Sequence, residues 1–316
     1  MKTVLVTGGA GFIGSHIVDA LITLDFEVSV VDNLSTGRKE NINPKANFHC
    51  LEIGSPEIID IFAKRKIDWV IHLAAQIDIR KSLDDPKYDA QVNVLGLLNV
   101  LELCRRYEIK GVIFASSGGA IYGEPNVLPV TEPTAKSPLS PYGVSKLTCE
   151  YYLYYYLRVY GLPYVTLRYG NVYGPRQGCA GEAGVISIFT SKMLSGETAT
   201  IFGDGEQLRD YVFVEDAAMA NILALRRLEC LPLANSIDDR AYNIATGTGT
   251  SVNDLFAQLK KITGFTGKAN YTSERKGELK NIFLDIHKAE KGLSWKPATS
   301  LSAGLKKTAD YWAKSS

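Results

Sequence analysis

Short apolar runs alternate with longer stretches of helical spacing from Met1 to about Arg168. The runs are Thr3–Thr7, Glu27–Val31, Asn47–Leu51, Trp69–Leu73, Gly111–Ala115 and Tyr164–Arg168. Between them the apolar pattern predicts helices near 12–24, 56–65, 87–107 and 142–160. The second of these opens with Ser55-Pro56, a capping residue followed by proline in the first turn. Strand and helix in strict alternation build βαβ units, so the expected class is α/β with a parallel sheet wound on both faces. After Asn171 the texture changes to glycine-rich turns, at Gly203-Asp204-Gly205, Gly247–Gly249 and Lys276-Gly277, with shorter helices and scattered strands. The expectation is a large domain over 1–170 and a smaller C-terminal α/β substrate-binding lobe over 171–316, with a strand near 242–245 returning to the large sheet.

The first strand runs into Gly8-Gly9-Ala10-Gly11-Phe12-Ile13-Gly14 and then an amphipathic helix. Glycines at 8, 11 and 14 suit a tight turn, an open backbone facing a pyrophosphate, and close helix-to-strand contact. The second strand ends at Asp32, near the offset of ~20 residues at which a carboxylate takes the adenosine ribose hydroxyls of a dinucleotide. Strand, glycines, helix and acid in that order predict a Rossmann-type doubly wound sheet. The acid would repel a ribose phosphate, which favours NAD over NADP; Arg38 nearby keeps the second cofactor as a lesser possibility.

Composition adds mostly exclusions. A formal charge of +1, with 46% hydrophobic and 22% charged residues, gives no sign of a nucleic-acid partner. The five cysteines are far apart and lack metal or redox spacing, and His16, His49, His72 and His287 also lack metal spacing, so no metal is expected. MKTVLVTGG enters a strand directly, without a signal-peptide pattern, and no apolar stretch approaches a membrane span; the expected location is the cytoplasm, with thiols reduced.

Tyr142 and Lys146 stand four apart in Ser-Pro-Tyr-Gly-Val-Ser-Lys, at the start of a helical pattern, and so share a helical face. A tyrosine of pKa ~10 serves as a base near neutrality only if its phenolate gains roughly 4 kcal/mol of stabilisation. A nearby ammonium supplies much of that, about 4 kcal/mol at ~4 Å and an effective dielectric of ~20. Taken alone such a pair is more often surface decoration. It sharpens because Ser116-Ser117-Gly118-Gly119 follows the strand Gly111–Ala115, putting a hydroxyl at the carboxyl end of a central strand, where α/β sheets bind ligands.

Together these segments resemble the extended short-chain dehydrogenase/reductase family, and within it the UDP-glucose 4-epimerase branch. The likeness runs through Gly8–Gly14, Asp32-Asn33-Leu34-Ser35-Thr36-Gly37, Leu73-Ala74-Ala75, Asn93-Val94-Leu95-Gly96 and the set Ser117, Tyr142 and Lys146. It continues through Leu167–Arg176, Phe202–Gly205, Arg209-Asp210-Tyr211-Val212 and Arg275-Lys276-Gly277-Glu278-Leu279, nearly the whole chain. The resemblance implies an NAD site made by Gly8, Gly11, Phe12, Ile13, Gly14, Asp32, Asn33, Ser35, Gly37, Glu52, Ile53, Leu73, Ala74, Ala75, Asn93, Tyr142, Lys146 and Tyr169. It implies Tyr142 as acid/base, with Ser117 as its hydrogen-bonding companion and Lys146 as its charged partner. It further implies that Asn171, Arg209, Arg275 and Glu278 hold a UDP-sugar, with arginines on the diphosphate.

Two departures from the family pattern stand out. Glu52-Ile53 replaces an aspartate followed by an apolar residue, and the serine stretch is one residue longer before Tyr122, leaving Ser116 as the alternative to Ser117. The implied activity is NAD-dependent inversion of C4 of a UDP-hexose through a 4-keto intermediate. Dehydratases and decarboxylases of the same fold carry acids where Gly118-Gly119 stand here, which disfavours both; a uronate epimerase and a non-catalytic NAD sensor stay open beside the main reading. The family's gate beside the sugar maps to Ile282, of intermediate size, which leaves plain and N-acetylated sugars both open. Tyr151, Tyr152, Tyr154, Tyr155, Tyr156 and Tyr160 form an aromatic stripe which, with the helix near 87–107, resembles the family's dimer-forming helix pair.

Overall fold

The computed structural model describes residues 2–178, 184–274 and 279–315. Seven parallel strands form the central sheet: β1 (Thr3–Thr7), β2 (Glu27–Val31), β3 (Asn47–His49), β4 (Trp69–His72), β5 (Gly111–Ser117), β6 (Tyr164–Tyr169) and the strand Ala241–Ile244. Their order across the sheet runs from Ala241–Ile244 through β6, β5, β4, β1 and β2 to β3. The chain therefore steps outward from β1 to β3, crosses back to β4 and steps outward the other way. The reversal falls between β1 and β4, so a crevice opens beyond their carboxyl ends at Thr7 and His72, which stand opposite each other.

Alternation along the strands sends side chains to two cores. Val4, Val6, Ile71, Ile113, Val165 and Leu167 pack beneath the helices Phe12–Thr23 and Val214–Arg227. Leu5, Val70, Val112 and Phe114 pack beneath the helices Gly96–Arg106 and Pro141–Tyr160. The first core thus draws on residues from both sides of position 170, and Ala241–Ile244 pairs with β6 as the returning strand. A third core, around Tyr173, Phe189, Ile201, Phe213, Phe256 and Leu305, belongs to the C-terminal part alone.

Helix Pro141–Tyr160 starts where its sequence directs: Ser140 caps it by accepting the Gly143 amide at 3.2 Å, and Pro141 occupies the first turn. It ends on Gly161, whose φ of 71° is the left-handed geometry of a helix stop. The single helix expected near 87–107 is instead three pieces: Pro86–Ala90, a π-helical turn Gln91–Leu95, and Gly96–Arg106. The expected helix near 56–65 begins as a 3-10 turn over Pro56–Ile58. Among the described residues no helix is long and apolar enough to cross a membrane.

Candidate active site

At the crevice the glycine turn is built to leave backbone exposed. Gly8 has φ +71° and donates to Val31 O at 2.8 Å; a Cβ there would lie 2.7 Å from the Ala74 amide nitrogen. A side chain on Gly14 would run into the Gly8 carbonyl. The helix that follows starts on Gly11 with no side-chain cap and no acidic residue in its first turn. Its amides, with Phe12 and Ile13 in the first turn, thus face the crevice ready for an anion. This cradle fits the pyrophosphate of NAD.

Asp32 is 7% exposed and does structural work as well: its carboxylate accepts from the Ala10 amide at 3.0 Å and the Leu34 amide at 2.8 Å. It thereby ties the glycine turn to the loop carrying Asn33, Ser35 and Gly37. A Cβ on Gly37 would crowd its carboxylate at 2.7 Å. Thr7 secures the next wall: its hydroxyl meets His72 Nδ1 at 3.0 Å and accepts the Ala74 amide at 3.2 Å, fixing the turn Leu73-Ala74-Ala75. Burial, with Lys146 adding to it, pulls the His72 pKa to about 3, so this imidazole is neutral. Ile53 is buried and packs on Gly96, while Glu52 is exposed. Tyr169 lies within the core, its hydroxyl accepting from Asn221 at 2.7 Å.

On the far wall, Lys146 is 4% exposed. Its ammonium donates to Ala115 O at 2.8 Å and sits 4.9 Å from the ring centre of Phe114 and 5.8 Å from that of Tyr142. Burial pulls its pKa down to about 8, while Cys149, Asp89 and Glu150 hold it up. Tyr142 is half-buried on the same helix face, one turn earlier. The two serines part company at the end of β5, since neighbouring strand positions face opposite ways. Ser116 is buried and donates to Glu150 Oε1 at 2.6 Å, while Ser117 is partly exposed and outside that contact. Gly118, which follows, has no room for a side chain: a Cβ would overlap Leu284.

The C-terminal segments meet the crevice from the other side. Arg209 pairs in register with Ile282, and its guanidinium donates to the carbonyls of Leu279 at 2.7 Å and Lys280 at 3.2 Å. Asn171 is exposed and its amide donates to Asp210 O at 2.7 Å. Ile282 is buried with Ile121, Tyr122 and Leu284. Arg275 and Glu278 lie outside the described residues.

Several groups have parts that the motifs do not assign. Asp210, 2% exposed, accepts from the amides of Thr246, Gly247 and Leu284, which pins the Arg209 segment to the end of the returning strand. Asn93, Gln76 and Ser145 surround Asp89. Arg168 and Glu150 form a fully buried ion pair at 2.6 Å. The signal for these was a carboxylate or arginine placed in phase with buried apolar positions, which periodicity alone does not separate from a surface charge. A further concavity of about 900 Å³ lies at the opposite end of the strands, around Thr3, Glu27, Arg65 and Asp68; Glu27 and Arg65 pair there at 2.5 Å.

A family model described as the NAD dependent epimerase/dehydratase family matches residues 4–245. A putative UDP-glucose 4-epimerase of Methanocaldococcus jannaschii is 50% identical over 308 residues, 98% of this chain and 97% of its own length. The crystal structure of UDP-glucose 4-epimerase from Thermotoga maritima, with UDP-glucose, superposes with a TM-score of 0.94 at 47% identity, covering 99% of each chain. That of the Thermus thermophilus UDP-glucose 4-epimerase, in complex with NAD, has a TM-score of 0.89 at 39% identity, covering 98% of this chain and 99% of the other.

Proposed function

The chain belongs to the NAD-dependent epimerase/dehydratase family, and from that premise we propose that it is a 4-epimerase acting on a UDP-hexose. The observation that carries the reading is the buried Lys146 ammonium beside the Tyr142 ring, at the carboxyl ends of the strands that hold the glycine cradle. NAD, when bound, supplies the acceptor for the C4 hydride and its later donor. Tyr142 takes the proton of the sugar 4-hydroxyl and returns it to the same oxygen after the hexose has swung about its phosphate linkage, so that the hydride comes back to the opposite face of C4. Lys146, held by Ala115 O, stabilises the phenolate by its charge. Ser117 hydrogen-bonds the reacting oxygen, since Ser116 is already committed to Glu150.

Gly8, Gly11, Phe12, Ile13 and Gly14 take the pyrophosphate, Asp32 the adenosine ribose, and Leu73, Ala74, Ala75 and Asn93 the nicotinamide end. Asn171, Arg209, Arg275 and Glu278 hold the UDP moiety in a substrate-binding portion that begins near residue 171. Gly118 and Gly119 offer no acid where dehydratase or decarboxylase chemistry needs one. A homodimer is supported by exposed Tyr151, Tyr155 and Tyr160 on one helix beside exposed Tyr88 and Leu95 on the neighbouring segment. A cytoplasmic location accords with the four described cysteines, all free.

The reading is tested by incubating the purified protein separately with UDP-glucose, UDP-galactose, UDP-N-acetylglucosamine and UDP-glucuronate, and resolving products by NMR. Conversion of at least one hexose to its C4 epimer without added NADH is expected. No conversion of any, or a stoichiometric demand for NADH, overturns it.

A further inference from the structure

Asp89 is a fully buried carboxylate that the proposed chemistry does not use. It lies on the short helix just before the π-helical turn, and three donors from three places converge on it. Ser145 Oγ donates at 2.6 Å, Asn93 Nδ2 at 3.0 Å and Gln76 Nε2 at 3.1 Å. No acceptor competes among these contacts, which is the arrangement a charged carboxylate requires. Among the described residues it has no ion-pair partner.

Each donor leads to a wall of the site. Ser145 immediately precedes Lys146 and lies three residues after Tyr142. Asn93 and Gln76 lock together by a second pair of bonds, Gln76 N to Asn93 Oδ1 at 2.8 Å and Asn93 Nδ2 to Gln76 O at 2.9 Å. Gln76 directly follows Leu73-Ala74-Ala75. The Asn93 carbonyl in turn accepts Cys149 Sγ at 3.3 Å, so the short helix and the π-turn after it grip the catalytic helix at two successive turns, Asp89 at Ser145 and Asn93 at Cys149. An apolar residue at 89 would take the acceptor from buried Ser145 Oγ and leave Asn93 Nδ2 and Gln76 Nε2 with one bond each, to Gln76 O and Asp78 O.

We infer that Asp89 is a positioning residue for the epimerase reaction, clamping the Tyr142–Lys146 helix to the cofactor-side turn through Ser145, Asn93 and Gln76 and bringing a carboxylate to the residue next to Lys146. The inference rests on the roles given to Tyr142 and Lys146 above. The groups facing Lys146 are the Ala115 carbonyl and Phe114 ring of β5, neutral His72 of β4, Tyr142, Cys149 and Glu150 of its own helix, and Asp89 from the short helix. Glu150 is already matched by Arg168, and burial pushes the Cys149 thiol up to about 12, so Asp89 is the unmatched negative charge of this set. That charge works against the burial that pulls Lys146 down. Removing it lets the ammonium lose its proton at lower pH, and the phenolate's partner disappears with it.

The test compares Asp89→Asn, Ser145→Ala and Tyr142→Phe with the parent, each with its bound NAD, using UDP-glucose as substrate. Asp89→Asn keeps the shape but offers a donor to donors. Its kcat is expected to fall about tenfold or more, as small misplacements of catalytic groups do. KM and NAD content are expected to stay close to parental, and the alkaline limb of the kcat profile to move about half a pH unit or more toward acid. Ser145→Ala keeps the charge and removes the bridge, so its kcat falls several-fold with the alkaline limb in place.

An Asp89→Asn enzyme at parental rate, or one slowed with its alkaline limb unmoved, overturns the inference. If Asp89→Asn does not fold, Ser145→Ala decides: a slowed enzyme supports the clamp and a parental rate overturns it. Tyr142→Phe separates the two levels. An active Tyr142→Phe sinks the reading of the site itself, whereas an inactive one beside fully active Asp89→Asn sinks only the role of Asp89.

Discussion

Tyr142→Phe is expected to lower kcat for UDP-hexose epimerisation by about 10³-fold, the range over which a positioned general acid/base acts. The loss belongs to one oxygen. Phenylalanine keeps the ring beside Lys146, whose ammonium stays bonded to Ala115 O, and leaves the glycine cradle and Asp32 untouched. Bound NAD should therefore be retained at the parental stoichiometry, read from the absorbance of the released cofactor. The result also discriminates against a non-catalytic NAD sensor, which needs no phenol. Ser117→Ala should cost less, because it removes a hydrogen bond and not the proton's carrier. A variant Tyr142→Phe with more than about a tenth of parental kcat would remove this residue from the chemistry.

The largest expected effect on stability lies next to the site. Arg168 is 0% exposed and all its donor nitrogens are used: two on Glu150, with further bonds to Asp238 at 2.8 Å, Tyr122 OH at 2.9 Å and Glu132 O at 2.9 Å. Burial opposes its charge, yet Glu150, Tyr122 and Asp238 together push its pKa above the ordinary arginine value. Methionine in its place leaves the buried Glu150 carboxylate without its ion-pair partner and, among the described residues, with Ser116 alone as hydrogen-bond donor. Removing one partner of a buried pair costs about 3–5 kcal/mol. Arg168→Met is therefore expected to shift the denaturation midpoint strongly downward. The double variant Arg168→Met with Glu150→Leu should recover part of the loss, because no uncompensated charge remains. A single variant as stable as the parent would contradict the role given to the pair.

The elements nearest the cofactor cradle are legible in the sequence because local chemistry and tertiary demand agree there. Thr3–Thr7 is buried throughout and apolar at Val4, Leu5 and Val6 since both faces of a central parallel strand are covered, and Gly8 stands where φ is +71°. Ser140-Pro141 marks a helix start that the structure keeps. The segment 87–107 is less legible. Its apolar spacing is helical, but Asp89 and Asn93 are a buried polar pair one turn apart, and the need to satisfy them through Gln76 and Ser145 accompanies a π-turn that hydrophobic periodicity does not encode. The position of Asp32 after its strand points to a ligand group, and nothing in that spacing shows that it is also a bracket for Ala10 and Leu34. Spacing does not choose between Ser116 and Ser117; the choice depends on which face of β5 meets Glu150, and only the packed helix decides that.

The most direct test of the central claim, that one bound NAD takes a hydride from C4 and returns it to the same sugar, follows a label. The purified protein is incubated in ordinary water with UDP-glucose deuterated at C4, and the UDP-galactose formed is examined by NMR. Deuterium kept at C4 of the product, with none released to solvent and no NADH added, is the expected result. Protium at C4 of the product, or turnover only with added NADH, would contradict it.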